Sequence, residues 1–209
     1  MANMDIRTVI KSGLCLGCGI CTYDSSVKSM KYSSLKGIYL PVLEREKNYE
    51  VANSICPAKG YDIIGDSKKR FGEKSGYTVE LGFVNSMHAA HSKSPKILEN
   101  ASSGGVITQI LLYLLEQRIV EKVVVTKFIY SPNGPRTKTF LTNNIENILE
   151  SQGSKYCPVE MSSFIDELKK SNNKIAFVGT PCQVAGIREI QKIDEKLNKN
   201  IFITISNFC

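Results

Sequence analysis

Four cysteines in the first quarter of the chain have the spacing of ligands to an iron–sulfur cluster. Cys15, Cys18 and Cys21 form a C-x2-C-x2-C run, and a later cysteine, Cys56, is followed by a proline. Such a run lets one tight loop supply three thiolates to a cubane cluster, while a distant cysteine in a Cys-Pro pair supplies the fourth. We therefore predict that these four cysteines bind one 4Fe-4S cluster, a group that moves single electrons.

Zinc is the main alternative for the same cysteines. Structural zinc sites usually contain two pairs of ligands, whereas here a third cysteine follows at the same spacing, and His88 and His91 are distant in sequence. Gly17 and Gly19 allow close backbone approach and can present N–H groups to cluster sulfurs. In the two-cluster pattern a further cysteine would replace Ser25, so we expect a single cluster in this segment.

The composition predicts a globular protein whose cysteines are reduced. The chain has 209 residues, enough for one domain with a full core and a small additional module. Its N-terminus lacks the apolar segment of a signal peptide, and no stretch approaches the ~20 apolar residues of a membrane span. The seven cysteines are odd in number and four have cluster spacing, so we expect free thiols in the cytoplasm rather than a disulfide framework.

The net charge of +7 does not by itself indicate a nucleic-acid-binding protein. Residues 1–75 contain 12 Lys and Arg against 8 Asp and Glu, and the remainder contains 15 against 12, so the excess is spread along the chain. The basic run Lys68–Arg70 lies in a segment with the composition of a linker. We expect no nucleic-acid partner, because attraction of an anionic cofactor or an acidic electron-transfer partner explains the charge equally well.

Hydrophobic periodicity divides the chain into two predicted domains, residues 1–70 and residues 76–209. The first is rich in turns, with a short extended segment at residues 37–42, as in a small ferredoxin-like iron–sulfur module held together by its metal. The second alternates between strand and helix patterns, which predicts an α/β fold with a mainly parallel sheet and flanking helices. Its predicted strands are 78–84, 122–130, 175–178 and 201–205, and its predicted helices are 106–115, 160–170 and 184–197.

A serine- and glycine-rich segment precedes the first predicted helix of the second domain. Ser103, Gly104 and Gly105 leave the helix N–H groups accessible, because serine can cap the helix and glycine has no side chain. A helix end of this kind can bind a phosphate group. A simple cap and turn would produce the same residues, so both interpretations stay open at this point.

Two cysteines are predicted to lie at the carboxyl ends of strands. Cys182 follows the strand at 175–178, and Cys209 ends the run 201–209 that contains the strand at 201–205, so both should lie at the edge where open α/β sheets bind ligands. Cys157 lies in a third segment that could reach the same edge. Buried inert cysteines are common, so a second metal or redox site here is one of two open interpretations.

Three motifs occur in an order that resembles the beta-subunit family of coenzyme F-420 (deazaflavin) hydrogenases and dehydrogenases. They are Ser102–Thr108, Gly153–Tyr156 and Gly179–Arg188, and the Gly-Thr-Pro-Cys-Gln-Val-Ala-Gly stretch in the third is the specific one. The cysteine run with Cys56 resembles the N-terminal iron–sulfur module that many members carry.

The resemblance implies an iron–sulfur flavoprotein oxidoreductase. In such proteins FAD converts hydride transfer with a deazaflavin, or with another small-molecule hydride carrier, into single-electron transfer through clusters to a redox partner protein or subunit. By position, Ser103, Gly104 and Gly105 would help to bind FAD, and Lys155 would lie near it. No catalytic acid or base is predicted.

The same resemblance implies that Cys182 and Cys209 are ligands of a 4Fe-4S cluster within the α/β domain. Members of the family continue beyond the strand that ends at Cys209, so we expect this chain to be a C-terminally truncated member. Two alternatives remain open. One is a non-catalytic iron–sulfur electron-transfer module or an inactive fragment of such an enzyme, and the other is a zinc-stabilised interaction protein.

Overall fold

The computed structural model describes residues 4–72, 76–131 and 134–207. Within these ranges the α-helices are α1 (Ile6–Lys11), α2 (Glu50–Ile55), α3 (Ile63–Phe71), α4 (Pro95–Asn100), α5 (Val106–Glu116), α6 (Ile145–Glu150), α7 (Ser162–Lys170), α8 (Pro181–Ile193) and α9 (Glu195–Asn200). The strands are β1 (Met30–Ser33), β2 (Ile38–Pro41), β3 (Gly76–Thr78), β4 (Gly82–Val84), β5 (Lys122–Ser131), β6 (Gly134–Thr142), β7 (Ile175–Gly179) and β8 (Ile201–Ser206). Short 3₁₀ turns at Ile20–Tyr23 and Pro57–Lys59 complete the elements near the cysteines.

A four-stranded sheet with the order β6-β5-β7-β8 forms the centre of the α/β part. The pairs β5–β7 and β7–β8 are parallel, and β5–β6 is antiparallel. The prediction of an α/β fold with a mainly parallel sheet and flanking helices is therefore confirmed. The strand β6 was not predicted, because its sequence Gly-Pro-Arg-Thr-Lys-Thr is polar and gives no apolar run. It forms a hairpin with β5 instead of a crossover.

The two faces of the sheet bury different helices. On one face Val124, Ile175 and Phe177 pack with residues of α7, α8 and α9. On the other face Val123, Val125 and Ala176 pack with α4, α5 and α6. This alternation follows from the period of two in a strand, in which successive side chains point to opposite sides. Helices on both faces explain why the central strands are continuously apolar.

The cysteine-containing segment shares a core with the α/β part. Ile20, between two of the predicted cluster ligands, and Ile55, just before Cys56, are both 0% exposed and belong to the core that includes Phe164 and Ile187. A smaller separate core lies under α1 and α2 and includes Ile6, Cys21, Val27, Tyr49 and Ala52. The N-terminal segment is thus packed against the sheet domain through a shared hydrophobic core.

Two predicted elements differ from the structure for local reasons. The predicted strand at 78–84 is a hairpin, β3–β4. Its turn at residues 79–81 is held by the Leu81 N–H, which donates to Thr78 Oγ1 at 3.1 Å, and is followed by Gly82 with a φ of +71°. The predicted helix at 184–197 is two helices, because Asp194 is extended and its carboxylate accepts the Leu197 N–H at 2.9 Å, which caps α9. The predicted extended segment at 37–42 is confirmed as β2.

Of the helices described at 4–72, 76–131 and 134–207, none has the length and apolar character needed to cross a membrane.

Gly186 of α8 provides a test of how the two parts pack. A Cβ at this position would lie 2.8 Å from Ile20 Cγ1 and Cγ2, closer than real contacts allow. Overpacking costs about 1–3 kcal/mol, which exceeds the gain of about 1 kcal/mol from replacing glycine inside a helix. We expect Gly186→Ala to lower the free energy of unfolding by about 1–2 kcal/mol in urea denaturation.

Two further variants make this test specific. Gly76→Ala, where a Cβ would meet nothing within 4 Å, should leave stability unchanged or slightly higher. In an Ile20→Ala background the Gly186→Ala substitution should cost much less, because the two clashing atoms, Ile20 Cγ1 and Cγ2, are absent. An equal cost in both backgrounds would show that the Ile20–Gly186 contact is not what the substitution disrupts.

Candidate functional site: a cysteine pocket beside a ligand cavity

The four cysteines that were predicted to bind a cluster line one pocket. Cys15, Cys18, Cys21 and Cys56 come from two distant segments, and the remaining walls are apolar, with Ile6, Val9, Met30 and Pro41 among them. We call this the cysteine pocket. An apolar lining excludes water and strengthens electrostatic interactions inside the pocket. Four thiols from two distant segments thus line one apolar pocket.

The loop that carries three of these cysteines is shaped by two glycines. Gly17 and Gly19 have φ values of +67° and +79°, a region that side chains with a Cβ rarely adopt. A Cβ on Gly19 would lie 2.7 Å from the Met161 backbone nitrogen, at the start of α7. The Met161 N–H also donates to the Cys18 carbonyl oxygen at 3.1 Å. The loop is thereby fixed on the helix by backbone contacts that only glycine permits.

Asp24 joins the cysteine loop to the helix that leads to Cys56. Its carboxylate oxygens accept the Ser26 N–H at 2.9 Å and the Ala52 N–H at 3.0 Å, and Ala52 lies in the first turn of α2. Burial opposes ionisation of this carboxyl, but these hydrogen bonds and the charge of Lys169 outweigh it, so the pKa of Asp24 lies below its usual value. Asp24 thus caps α2 from a different segment and holds the two groups of cysteines together.

Burial favours the protonated form of three of the thiols in the pocket, Cys18, Cys21 and Cys56. Burial raises the pKa of Cys18 to about 12. Neighbouring cysteines also raise this pKa, and a backbone hydrogen bond lowers it by less than burial raises it. Burial likewise raises the pKa values of Cys21 and Cys56 above the ordinary thiol value. Thiolates are the form that binds metal, so metal binding would have to displace protons and supply positive charge here.

The six cysteines in the described ranges form no disulfide with one another. In the same ranges, no group of three or more His, Cys, Asp and Glu residues could hold a single metal ion. In a 4Fe-4S cluster each thiolate binds a different iron, so four cysteines need to surround a volume and do not converge on one point. The four cysteines line one pocket, and the binding of a cluster there stays a prediction.

Cys182 lies close to the cysteine pocket. It is the second residue of α8, its Sγ is 3.2 Å from Thr180 Oγ1, and its charge contributes to the raised pKa of Cys18 after burial. The predicted partner, Cys209, lies outside the described residues, so the predicted second site with Cys182 and Cys209 stays a prediction. What the structure does show is that Cys182 lies near the first group of cysteines.

A second, larger space of about 600 Å³ lies at the carboxyl end of β7. It is lined by the segment 102–108 at the start of α5, by the loop 151–156 after α6 and by Gly179, Thr180 and Gln183. We call this the ligand cavity. Its volume is within the range of roughly 300–1,000 Å³ that is usual for small-molecule and cofactor sites. The structure therefore brings together Ser103, Gly104, Gly105 and Lys155, all of which were predicted to bind a cofactor.

Two of the predicted residues have to be glycine for the cavity wall to pack. A Cβ on Gly104 would lie 2.8 Å from the Ala90 carbonyl oxygen, and a Cβ on Gly105 would lie 2.6 Å from Ile97 Cγ2. Gly105 also has a φ of +68° and immediately precedes α5. The first N–H groups of an α-helix have no acceptor within the helix. They therefore form a donor group with positive partial charge at the cavity.

Lys155 binds the backbone of its own loop. Its Nζ donates to the carbonyl oxygens of Ser151, Gln152 and Gly153 at 2.5, 2.9 and 2.8 Å, just after the end of α6. Burial lowers the pKa of Lys155, and the charge of nearby Cys157 opposes this effect. Lys155 therefore determines the shape of this cavity wall and places a positive charge beside it.

The structure adds two features that the sequence analysis missed. Ser102 Oγ accepts the Ser154 N–H at 2.9 Å, which joins the two loops of the cavity wall, and no sequence pattern predicts such a distant pair. The Thr180 N–H donates to Gln183 Oε1 at 2.9 Å as part of a capping box at the start of α8. The Thr-x-x-Gln spacing could have predicted this cap.

The fold and the two sites define an α/β protein with a four-thiol pocket next to a large ligand cavity. Residues 87–166 match the N-terminal family model, and residues 172–209 match the C-terminal family model, of "Coenzyme F420 hydrogenase/dehydrogenase, beta subunit". The matched segments cover more than half of the chain, so it belongs to the coenzyme F420 hydrogenase/dehydrogenase beta-subunit family. The resemblance seen in the motifs is confirmed. The four N-terminal cysteines lie outside both matched segments.

Two relatives from Methanocaldococcus jannaschii match almost the whole chain. The uncharacterized protein MJ1349 is 25% identical over 93% of this chain and 59% of its own length. A coenzyme F420-dependent sulfite reductase is 27% identical over 96% of this chain and 30% of its own length. A chain of the F420-reducing [NiFe] hydrogenase complex from Methanosarcina barkeri has the same fold over 57% of this chain and 42% of its own, with 24% identity and a TM-score of 0.50. The chain thus spans between 30% and 59% of the length of these curated relatives.

The role of Asp24 gives a pH-dependent prediction. Because its folded-state pKa is below the unfolded value of ~3.9, its stabilisation is present above about pH 4 and is lost as the pH falls through the folded value. Asp24→Asn replaces one carboxylate oxygen, which accepts a backbone N–H, by an NH2 group, which can only donate. The unpaired N–H lowers the free energy of unfolding by about 1–3 kcal/mol. We expect that loss in urea denaturation at pH 7 and a smaller difference from the parent protein below pH 4.

The exposed carboxylate of Asp166 on α7 provides the matched control. Asp166→Asn should leave the free energy of unfolding within about 0.5 kcal/mol of the parent value at each pH. If Asp24→Asn proved equally neutral at pH 7, Asp24 would not be the connection between the cysteine loop and α2.

Proposed function

We propose that this chain is an iron–sulfur flavoprotein component of an oxidoreductase. It would pass electrons between a hydride carrier, deazaflavin-like or other, and an iron–sulfur cluster. The observation that carries the proposal is that α8 contacts both the ligand cavity and the cysteine loop. Thr180 and Gln183, at the start of this helix, line the cavity, and Gly186, one turn later, packs against Ile20 of the cysteine loop. Two redox groups bound in these places would be neighbours.

The residues of the cysteine pocket fit a 4Fe-4S cluster. Cys15, Cys18, Cys21 and Cys56 would hold it, which supplies single-electron transfer when bound. Burial raises the pKa values of Cys18 and Cys56, so thiolates at these positions would be stabilised by the positive charge of a bound metal group, and the apolar walls would shield that group from water. We propose on this basis that residues 1–70 are a ferredoxin-type module and that residues 76–209 are the flavin-type α/β domain.

The residues of the ligand cavity fit FAD. The start of α5 presents N–H donors, Gly104 and Gly105 allow backbone approach, and Ser103 and Lys155 add a hydroxyl and a positive charge. This combination suits the anionic pyrophosphate of a dinucleotide. A bound flavin supplies the conversion between two-electron hydride chemistry and single electrons. The role of this chain's own residues is to bind and orient that group and to keep it beside Cys182.

The partners follow from the same proposal. The family is one of beta subunits, and a structural neighbour is part of a hydrogenase complex, so we propose a partner subunit or redox protein as the second electron carrier. Free thiols at all described cysteines support a reducing compartment, the cytoplasm. The proposed second cluster at Cys182 and Cys209 remains part of this hypothesis.

Anaerobic purification followed by iron, sulfide, zinc and flavin assays distinguishes the alternatives. Iron, sulfide and flavin in one preparation would support the proposal. Iron and sulfide without flavin would favour the non-catalytic electron-transfer module or an inactive fragment. Zinc in place of iron would favour an interaction protein and would contradict the proposed redox function.

Substitution of Cys18 tests the cluster assignment. We expect Cys18→Ser to remove most of the iron and the bleachable visible absorbance of the N-terminal cluster, because one of four thiolate ligands is lost. Flavin content should stay close to the parent value, since the ligand cavity has a different lining. Cys157→Ser, which alters a half-buried thiol outside the cysteine pocket, should retain the parent iron content. Unchanged iron in Cys18→Ser would contradict the ligand assignment.

Substitution of Gly104 tests the flavin assignment. A Cβ 2.8 Å from the Ala90 carbonyl oxygen forces the segment at the start of α5 to move. A misplaced phosphate-binding loop loses hydrogen bonds to charged groups, each worth about 1.5–3 kcal/mol, so we expect Gly104→Ala to weaken FAD binding by about tenfold or more. Iron content should not change. Gly76→Ala should bind FAD as the parent does, and the Kd can be measured by flavin fluorescence.

A further inference from the structure

A patch of exposed apolar side chains adjoins the cysteine pocket. Leu14 and Leu16 flank Cys15 and are each about half exposed, and Leu35, in the turn between β1 and β2, is 94% exposed. Tyr32 on β1 is also half exposed. Large apolar side chains that cluster on a surface usually mark an interaction site. Leu16 also lines the cysteine pocket, so the patch lies at the edge of that pocket.

Contacts between the cysteine loop, α1 and the β1–β2 hairpin make this patch continuous. Lys36 Nζ donates to the Ile10 carbonyl oxygen at 3.0 Å, which brings the hairpin turn to the end of α1. A Cβ on Gly17 would lie 3.1 Å from the Tyr39 carbonyl oxygen, so the loop runs along β2. The rings of Tyr32 and Tyr39 pack edge to face at 5.4 Å.

The register of β1 and β2 shows which face of the hairpin carries the two tyrosines. Met30 pairs with Pro41, and Tyr32 pairs with Tyr39. Residues two apart in a strand share a face, so the tyrosines lie on the same face as Met30 and Pro41, which line the cysteine pocket. The tyrosine pair therefore extends the wall of the pocket towards solvent.

Basic residues predominate around this patch. From Asp5 to Glu44 the chain contains five basic residues and three acidic ones. Of the acidic residues, Asp24 is buried with both carboxylate oxygens bonded to backbone N–H groups, and Asp5 and Glu44 form ion pairs with Arg7 and Lys47. Lys11 and Lys36, at the end of α1 and in the hairpin turn, are both exposed beside the apolar side chains. Exposed basic residues that have no acidic partner at the surface attract and orient negatively charged partners.

We propose that this surface, formed by Lys11, Leu14, Leu16, Tyr32, Leu35 and Lys36 and called here the docking face, binds a small acidic electron-carrier protein. The partner would exchange one electron with the cluster of the cysteine pocket, and no bond would form or break. The proposal rests on the proposed function for the identity of that cluster. A second copy of this chain is disfavoured, because the same face would bring like charges together.

Charge reversal at the docking face tests the proposal in the full chain. The probe is a fluorescently labelled plant-type ferredoxin, which is acidic, and its Kd is measured at low and high ionic strength. We expect Lys11→Glu/Lys36→Glu to weaken binding about tenfold or more at low salt, with the difference shrinking at high salt. Lys96→Glu/Lys199→Glu, which makes the same change in net charge at exposed positions on α4 and α9, should change Kd by less than about twofold.

A second pair of variants tests the apolar contribution without altering charge. Leu35→Ser should weaken binding of the ferredoxin by about three- to tenfold, whereas Val79→Ser, at a position that is 86% exposed on the β3–β4 hairpin, should not. Neither substitution removes a buried side chain, so both proteins should unfold at the parent temperature.

Several results would overturn the proposal. They are equal losses of affinity in the two double variants, no saturable binding of the ferredoxin at low salt, and equally tight binding of a basic protein such as cytochrome c. Iron and flavin assays on the same preparations test the proposed function separately. A preparation without iron would contradict the proposed cluster, while the difference in Kd between the two double variants would still decide the docking face, because binding requires no electron transfer.

Discussion

The close packing of one cysteine loop against two helices is the contact on which the rest of the structure depends. Gly19 lies against the start of α7, the Cys18 carbonyl accepts the Met161 N–H, and Ile20 fits against Gly186 of α8. The contacts at the two glycines require the absence of a side chain there. Because packed interiors have no spare volume, this packing fixes the position of three cysteines relative to the sheet. A module attached only by a linker would have no such fixed position.

The start of α8 connects the two candidate sites. The strand β7 ends at Gly179, the capping interaction of Thr180 with Gln183 begins the helix, and Cys182 lies in its first turn. The cavity side of this segment is lined by Thr180 and Gln183, and its other side approaches Cys18. The carboxyl end of a parallel strand is where α/β proteins place ligands, and here the same end also adjoins the cysteine pocket.

The proposed cluster would couple metal binding to proton release in the cysteine pocket. Cys18, Cys21 and Cys56 have raised pKa values because they are buried among apolar side chains, so these three thiols keep their protons when no metal is bound. A cationic cluster would release those protons and would join the loop at Cys18 to the segment at Cys56. Asp24 already connects these two segments through backbone hydrogen bonds. The folded chain therefore holds the four sulfurs near one another before any metal binds, which lowers the entropic cost of assembling the site.

By itself the sequence determined the chemistry of the candidate sites and the main elements of the fold. The spacing of Cys15, Cys18 and Cys21, the glycines before α5 and the apolar runs of β5, β7 and β8 are local patterns, and each predicts its local structure without knowledge of the rest. Tertiary structure alone decided the strand β6, the division of the last helix at Asp194 and the neighbourhood of Cys182 and Cys18. These features depend on contacts between residues far apart in the chain, and hydrophobic periodicity carries no information about which distant surfaces meet.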